Sequence, residues 1–240
     1  MSDLQQRIDL LAQLIINAEH PVFFTGAGIS TDSGLPDFRG PDGVWTRRDK
    51  GLEPVEVDWS QAKPNASHKA LVELQGMGKM AFLITQNIDN LHLVSGIHPE
   101  LLAELHGNLF KLQCKRCGFK LDNFPDLVRC PICDGALASS VVDFGDSLPV
   151  KDLQDAGSHS KQCDLFVVIG SSLFVQPAAS MPRIAIRSEA KLVILNAGET
   201  PFDRACHLRF REPISEVLPA AIHKMKTIKE GDHENRNRKR

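Results

Sequence analysis

Four short apolar runs, each stopping at a glycine-rich or polar cluster, constrain this chain's fold more than any other feature. Val22-Phe23-Phe24-Thr25 leads into Gly26-Ala27-Gly28, and Met80-Ala81-Phe82-Leu83-Ile84 into Thr85-Gln86-Asn87. Leu165-Phe166-Val167-Val168-Ile169 leads into Gly170-Ser171-Ser172, and Lys191-Leu192-Val193-Ile194-Leu195 into Asn196. Strands covered on both faces read as continuous apolar runs of this length. Helical patterns fall beside and between them. Leu4, Ile8, Leu11, Ile15 and Ala18 recur at three- and four-residue steps and predict a first helix, ended by Pro21. Residues 67–77 place Ala70, Leu71 and Leu74 on one helical face, and 214–226 predict a closing helix. The pattern predicts an α/β fold with a parallel sheet and right-handed crossovers. In open sheets of this kind ligands bind at the carboxyl ends of the strands, where the polar clusters lie.

Two stretches break the pattern. Residues 40–64 are rich in Pro, Gly and charge, with Trp45 and Trp59, and 111–135 hold four cysteines. Both read as insertions that form a smaller module. The formal net charge of −2 gives no global field for nucleic acid or an anionic membrane. The basic run Arg236-Asn237-Arg238-Lys239-Arg240 reads as a flexible tail over 229–240, with a localisation or nucleic-acid contact as the alternative. No apolar stretch reaches the roughly 20 residues needed to cross a bilayer. Asp3, Arg7, Asp9 and Glu19 interrupt the first twenty residues, which argues against a signal peptide and for a cytoplasmic protein. Six cysteines in such a chain point to metal rather than disulfides.

Cys114-x2-Cys117 and Cys130-x2-Cys133, twelve residues apart, form two knuckles and offer four thiolates. That set suits one tetrahedral zinc and leaves no open coordination position, so the metal should be structural. Cys163 and Cys206 read as buried small residues. Gly26-Ala27-Gly28 after a strand is either a phosphate loop or a tight turn, since Thr31 replaces the next glycine of the dinucleotide fingerprint. The connection from Gly26 to Gly40 is long for a tight turn, and long loops of this kind are often functional. Asn87 and Asp89 could bind a carboxamide or a ribose, or could cap a helix. His106, in His106-Gly107-Asn108, is either a satisfied core residue or a general base. His68 and His92 take a structural reading.

These segments, together with Val141-Val142-Asp143-Phe144-Gly145-Asp146, occur in the order found in sirtuins, and the chain resembles that family over about residues 4–220. The resemblance implies a large Rossmann-like domain (1–40, 65–110 and 140–228) and a smaller module (41–64 helical or loop, 111–139 zinc-binding). NAD and an acyl-lysine protein or peptide would meet in the cleft between them. It implies that Gly26, Ala27, Gly28, the start of the next helix, Gly170, Ser171 and Ser172 face the NAD phosphates. Asp37 and Arg39 would order the cofactor loop and Phe38 would shield the reactive ribose carbon. Asp89 would bind the nicotinamide carboxamide with Ile88 behind it, Gln86 and Asn87 the nicotinamide ribose, and Asn196 the adenosine ribose. His106 would be the general base, with Asn87 beside it in catalysis. Val142 and Phe144 would line the acyl-lysine tunnel.

The implied activity is NAD-dependent deacylation, acetyl groups foremost, yielding nicotinamide, free lysine and acyl-ADP-ribose. Asp143-Phe144-Gly145-Asp146 and Pro41-Asp42-Gly43-Val44-Trp45 resemble the branch called class IV, which leaves the acyl length open. The chain has no tyrosine, so the Tyr–Arg pair that selects acidic acyl groups elsewhere in the family is absent. The alternatives are mono-ADP-ribosyl transfer from the same NAD pocket and a non-catalytic NAD-sensing zinc protein. No membrane and no direct nucleic-acid contact is expected, and the oligomeric state stays open.

Overall fold

The computed structural model describes residues 3–124 and 127–238, with side chains described as far as Glu230. The order of elements begins α1 (Asp3–Asn17), β1 (Pro21–Thr25), α2 (Val44–Asp49), α3 (Ala66–Gly76), β2 (Phe82–Thr85), α4 (Leu91–Ser95) and β3 (Leu102–Glu104). It continues β4 (Lys111–Cys114), β5 (Lys120–Asp122), β6 (Leu137–Ser139), α5 (Val150–Gln162), β7 (Leu165–Ile169), α6 (Met181–Arg187), β8 (Lys191–Leu195), β9 (Leu208–Phe210) and α7 (Ile214–Arg238). Six strands form one parallel sheet in the order β3-β2-β1-β7-β8-β9.

Alternation along the central strands explains why their sequence is apolar throughout. Phe23, Leu83, Val167 and Val193 point to one face and pack with Leu11 and Ile15 of α1, Leu71 and Leu74 of α3, and Leu218 and Ile222 of α7. Val22, Phe24, Ile84, Phe166, Val168 and Ile194 point to the other face, against Ala156 of α5 and Ala185 of α6. A strand covered on both sides needs an apolar residue at every position. The register then sets up the site. Thr25 pairs with Thr85 and with Ile169, Thr85 with Glu104, and Ile169 with Leu195. Gly26, Gln86, Leu105, Gly170 and Asn196 therefore leave the sheet along one edge. The strand order reverses between β1 and β7, so the Gly26 and Gly170 loops flank the switch point.

The expected runs all form strands; β3 and β9 on the main sheet, β4, β5 and β6 in the cysteine-bearing segment, and the helices α4, α5 and α6 add to them without having been placed from the sequence. β3 and β9 are three-residue strands at the two edges of the sheet, too short to give a pattern. α5 is mostly polar, with Ala156 and Ser160 buried. The helix expected after Gly28 is corrected: two single turns of 3-10 helix, Ala27–Ile29 and Thr31–Ser33, take its place. β4, β5 and β6 form a separate antiparallel sheet that carries the cysteine knuckles. α7 continues through Arg238, so the backbone of 229–238 is helical where a flexible tail was expected, while the side chains of the basic run lie outside the described residues. Among the described residues no helix is long and apolar enough to cross a membrane.

Candidate active site

Two glycine loops meet backbone to backbone at the switch point. The Gly28 N–H donates to the Gly170 carbonyl at 2.9 Å. A Cβ on Gly28 would lie 2.8 Å from Gly170 Cα, and one on Gly26 2.8 Å from the Gly170 oxygen. Only glycine admits that approach, and Gly170 itself sits at φ +65°. Ser171 joins this pair to β2, because Gln86 Nε2 donates to Ser171 Oγ at 2.7 Å. Asn196 leaves β8 on the same edge and donates from Nδ2 to the Gly198 carbonyl at 3.0 Å.

Beneath the Gly26 loop lies a buried polar cluster. Ser30 Oγ donates to Asp89 Oδ2 at 2.6 Å. Asn87 Nδ2 is 3.2 Å from both Ser30 Oγ and Asp89 Oδ2, while Asp89 Oδ1 accepts the Leu91 N–H at 2.9 Å. Asp89 is 5% exposed and Asn87 8%, and hydrogen bonds satisfy the buried carboxylate. The helix-capping alternative is part of the answer, since Asp89 does bond the first turn of α4 while facing Ser30 and Asn87. Ile88 is half-buried and its carbonyl accepts the Leu109 N–H. Thr25 Oγ1, Thr85 Oγ1 and His92 Nε2 continue the polar chain inward at 2.8 Å spacings.

His106 follows β3 and is half-buried. Its Nδ1 lies 2.9 Å from the Gln86 carbonyl oxygen. A carbonyl only accepts, so Nδ1 carries the proton and Nε2 keeps its lone pair. Burial lowers the His106 pKa from its ordinary value, and the Gln86 bond opposes that shift only in part. The ring is therefore neutral near pH 7 and able to take a proton. Its main chain is pinned as well, since the His106 carbonyl accepts the Val142 N–H at 3.0 Å.

The loop from Gly26 to Gly40 ends in aromatic packing. Asp37 Oδ1 accepts the Gly40 N–H, and the Asp37 and Phe38 carbonyls accept the N–H groups of Val44 and Trp45. The Arg39 guanidinium lies over both the Trp45 and Phe174 rings, at 4.6 and 5.1 Å. Phe38 stacks obliquely on Trp45, and Phe144, 83% exposed, lies 5.8 Å from the same indole. Val142 is half-buried and packs on the sheet's second face. Ala27 and Ser172 are half-buried on the two loops.

The sulfurs of Cys114, Cys117, Cys130 and Cys133 lie within 4.8 Å of one another. The Cys114–Cys133 and Cys117–Cys130 pairs are 3.5 and 3.6 Å apart. Zinc–sulfur bonds of about 2.3 Å in a tetrahedron set edges of about 3.8 Å, so the donors fit zinc. Backbone N–H groups of Arg116 and Cys117 point at Cys114 Sγ and favour its thiolate. No described residue outside the four cysteines adds a ligand to this group.

The Sir2 family model matches residues 54–177. The chain belongs to the Sir2 family. A relative from Bradyrhizobium diazoefficiens called NAD-dependent protein deacetylase 1 is 39% identical, over 90% of this chain and 96% of that one. NAD-dependent protein deacetylase SRT1 of Arabidopsis thaliana is 38% identical over 91% of this chain, which spans about half of that longer protein (49%). A solved structure described as "Sir2-p53 peptide-NAD+" superposes with a TM-score of 0.71 at 35% identity, covering 94% of this chain and 98% of that one.

In this Sir2 chain the structure brings together Gly26, Gly28, Gly170 and Ser171, and separately Asn87 with Asp89. It also reveals roles that the sequence did not assign. Ser30 completes the Asn87–Asp89 cluster from 59 residues away. Asn108 anchors the His106 turn, donating to Asn90 Oδ1 and Glu104 Oε1. The signals for them were the place of Ser30 inside the long glycine loop and of Asn108 in the His106-Gly107-Asn108 motif. Cys163 is buried, its thiol pushed up to about 12 chiefly by burial. Cys206 is half-buried, a correction to the buried reading, because the turn after Phe202 leaves it at the edge of the core.

Proposed function

We infer that this chain is a NAD-dependent protein-lysine deacylase with one structural zinc, and that the residues named above carry its site. The observation that carries this is the neutral His106, fixed by Gln86 with Nε2 as proton acceptor, at the same sheet edge as two glycine loops packed backbone to backbone. NAD, when bound, supplies the ADP-ribosyl group that accepts the acyl chain as nicotinamide leaves. Gly26, Ala27, Gly28, Gly170, Ser171 and Ser172 bind its phosphates. Asp89, backed by Ile88 and positioned by Ser30 and Asn87, orients the carboxamide, and Gln86 and Asn196 hold the two riboses. Asp37 and Arg39 order the loop so that Phe38 excludes water. His106 Nε2 removes a proton, and fixed geometry of this kind contributes several kcal/mol. Val142 and Phe144 contact the acyl-lysine, whose backbone pairs alongside as an added strand.

We keep the division into a sheet domain and a smaller zinc module, and a cytoplasmic location, as parts of this proposal. Cell fractionation tests the location. Nicotinamide release from a panel of acetyl-, butyryl- and myristoyl-lysine peptides with NAD tests the activity and its acyl preference. Release that is independent of every acyl-peptide would overturn the reading in favour of ADP-ribosyl transfer.

A further inference from the structure

The His106 turn is gripped from both sides by buried charge. Glu104 ends β3, two residues before His106, and is 6% exposed. Its Oε1 accepts Asn108 Nδ2 at 2.6 Å, which closes the turn around His106. Its Oε2 accepts Lys111 Nζ, the first residue of β4, at 3.1 Å. The Glu104 N–H donates to Asp152 Oδ1 at 3.0 Å. The second oxygen of Asp152 accepts Lys120 Nζ, the first residue of β5, at 2.7 Å. Each of two paired strands of the cysteine-bearing sheet thus sends one lysine to a carboxylate on the main sheet's side.

We propose that Glu104 and Asp152 are positioning residues, which clamp the cysteine-bearing sheet to the His106 turn and hold the general base in place. The idea rests on the deacylase reading for its kinetics but not for its geometry. All four groups are largely shielded, with side-chain exposures of 8% and 18% in one pair and 13% and 22% in the other. Removing one partner leaves the other charge buried and unpaired, so the sheet and the turn must shift to rehydrate it. The turn has little slack. Gly107 sits at φ +76°, where a Cβ would lie 1.8 Å from the Ser140 carbonyl oxygen. Ser140 Oγ in turn accepts the Asn108 N–H at 3.1 Å. A displaced turn therefore carries His106 away from the Gln86 carbonyl that sets its tautomer. This gives the four cysteines, themselves outside the catalytic cluster, a physical route to the chemistry.

The test uses the full-length zinc-loaded protein with Lys120→Met, Asp152→Asn and the charge-preserving Lys120→Arg. Ring nitrogen NMR signals of His106 at neutral pH report its tautomer directly. For Lys120→Met and Asp152→Asn we expect cooperative melting, unchanged zinc content and a KM for NAD within about twofold, with kcat down about tenfold. We also expect the His106 signals to move from one Nδ1–H tautomer to a mixture, and Lys120→Arg to restore both readings. Unmoved ring signals in a variant that has lost the pair would overturn the proposal. So would a parallel loss of NAD affinity, melting temperature and kcat that Lys120→Arg does not restore, since that marks a merely structural role. A wild type that removes no acyl group would defeat the deacylase reading instead, and the ring signals would still decide the positioning claim.

Discussion

Replacing Gly28 by alanine separates close approach from backbone freedom. The added Cβ meets three backbone atoms of Gly170, its Cα at 2.8 Å, oxygen at 2.9 Å and carbon at 3.1 Å. None can rotate away, so the two loops must part by several tenths of an ångström and weaken the Gly28 N–H bond to Gly170. Overpacking costs about 1–3 kcal/mol and the hydrogen bond about 1, or about 2–4 kcal/mol together. For a chain of this length that lowers the melting temperature by roughly 4–16 °C. The proposed NAD phosphate contacts lie on these loops, so separating them should lower NAD affinity by at least about tenfold. Gly34→Ala is the control. Gly34 sits at φ +83° in open space, so alanine there costs about 1 kcal/mol of strain and clashes with nothing. Differential scanning fluorimetry with and without NAD reads both variants. If Gly28→Ala melts and binds NAD like Gly34→Ala, the close-contact reasoning is wrong.

Replacing Cys114 or Cys130 by serine should lower soluble yield and melting temperature together, measured alongside zinc content, whereas a well-folded metal-free variant would defeat the structural role. His106→Ala should retain NAD binding by calorimetry but lose acyl-peptide-dependent nicotinamide release. Because burial lowers the His106 pKa, the acid limb of kcat/KM should fall below 6.5, the base remaining neutral as pH drops through the ordinary value. His68 and His92 are held to about 3 and about 4, chiefly by burial, with the charge of His92 adding to the shift of His68. The unfolded chain binds those protons first, so stability is full above about 6.5 and is lost as pH falls toward 4. Each histidine contributes on the order of 1 kcal/mol per pH unit in that window, readable by chemical denaturation at stepped pH.

The parts that were legible in the sequence are those whose physics is local. A strand covered on both faces shows its whole apolar run, so β1, β2, β7 and β8 could be read directly. A cysteine knuckle is defined by its own spacing. β3 and β9, three residues each at the sheet edges, leave almost no periodic trace, and β3 is the strand that aims His106. α5 hides for the opposite reason, since a mostly polar helix that buries Ala156 and Ser160 has no apolar stripe. The Ser30–Asn87–Asp89 cluster joins residues from two distant loops, and no spacing rule connects them. The glycines at 26 and 28 looked like a weak phosphate loop, and their real constraint is Gly170, a residue of another strand's loop.

The proposed deacylation is tested most directly by following both products at once. The protein is incubated with NAD and an acetyl-lysine peptide, and peptide and nucleotide are weighed by mass spectrometry. We expect a peptide lighter by one acetyl group and an ADP-ribose heavier by the same group, in equal amounts, with neither seen for His106→Ala. An unchanged peptide together with ADP-ribose attached to protein would contradict it.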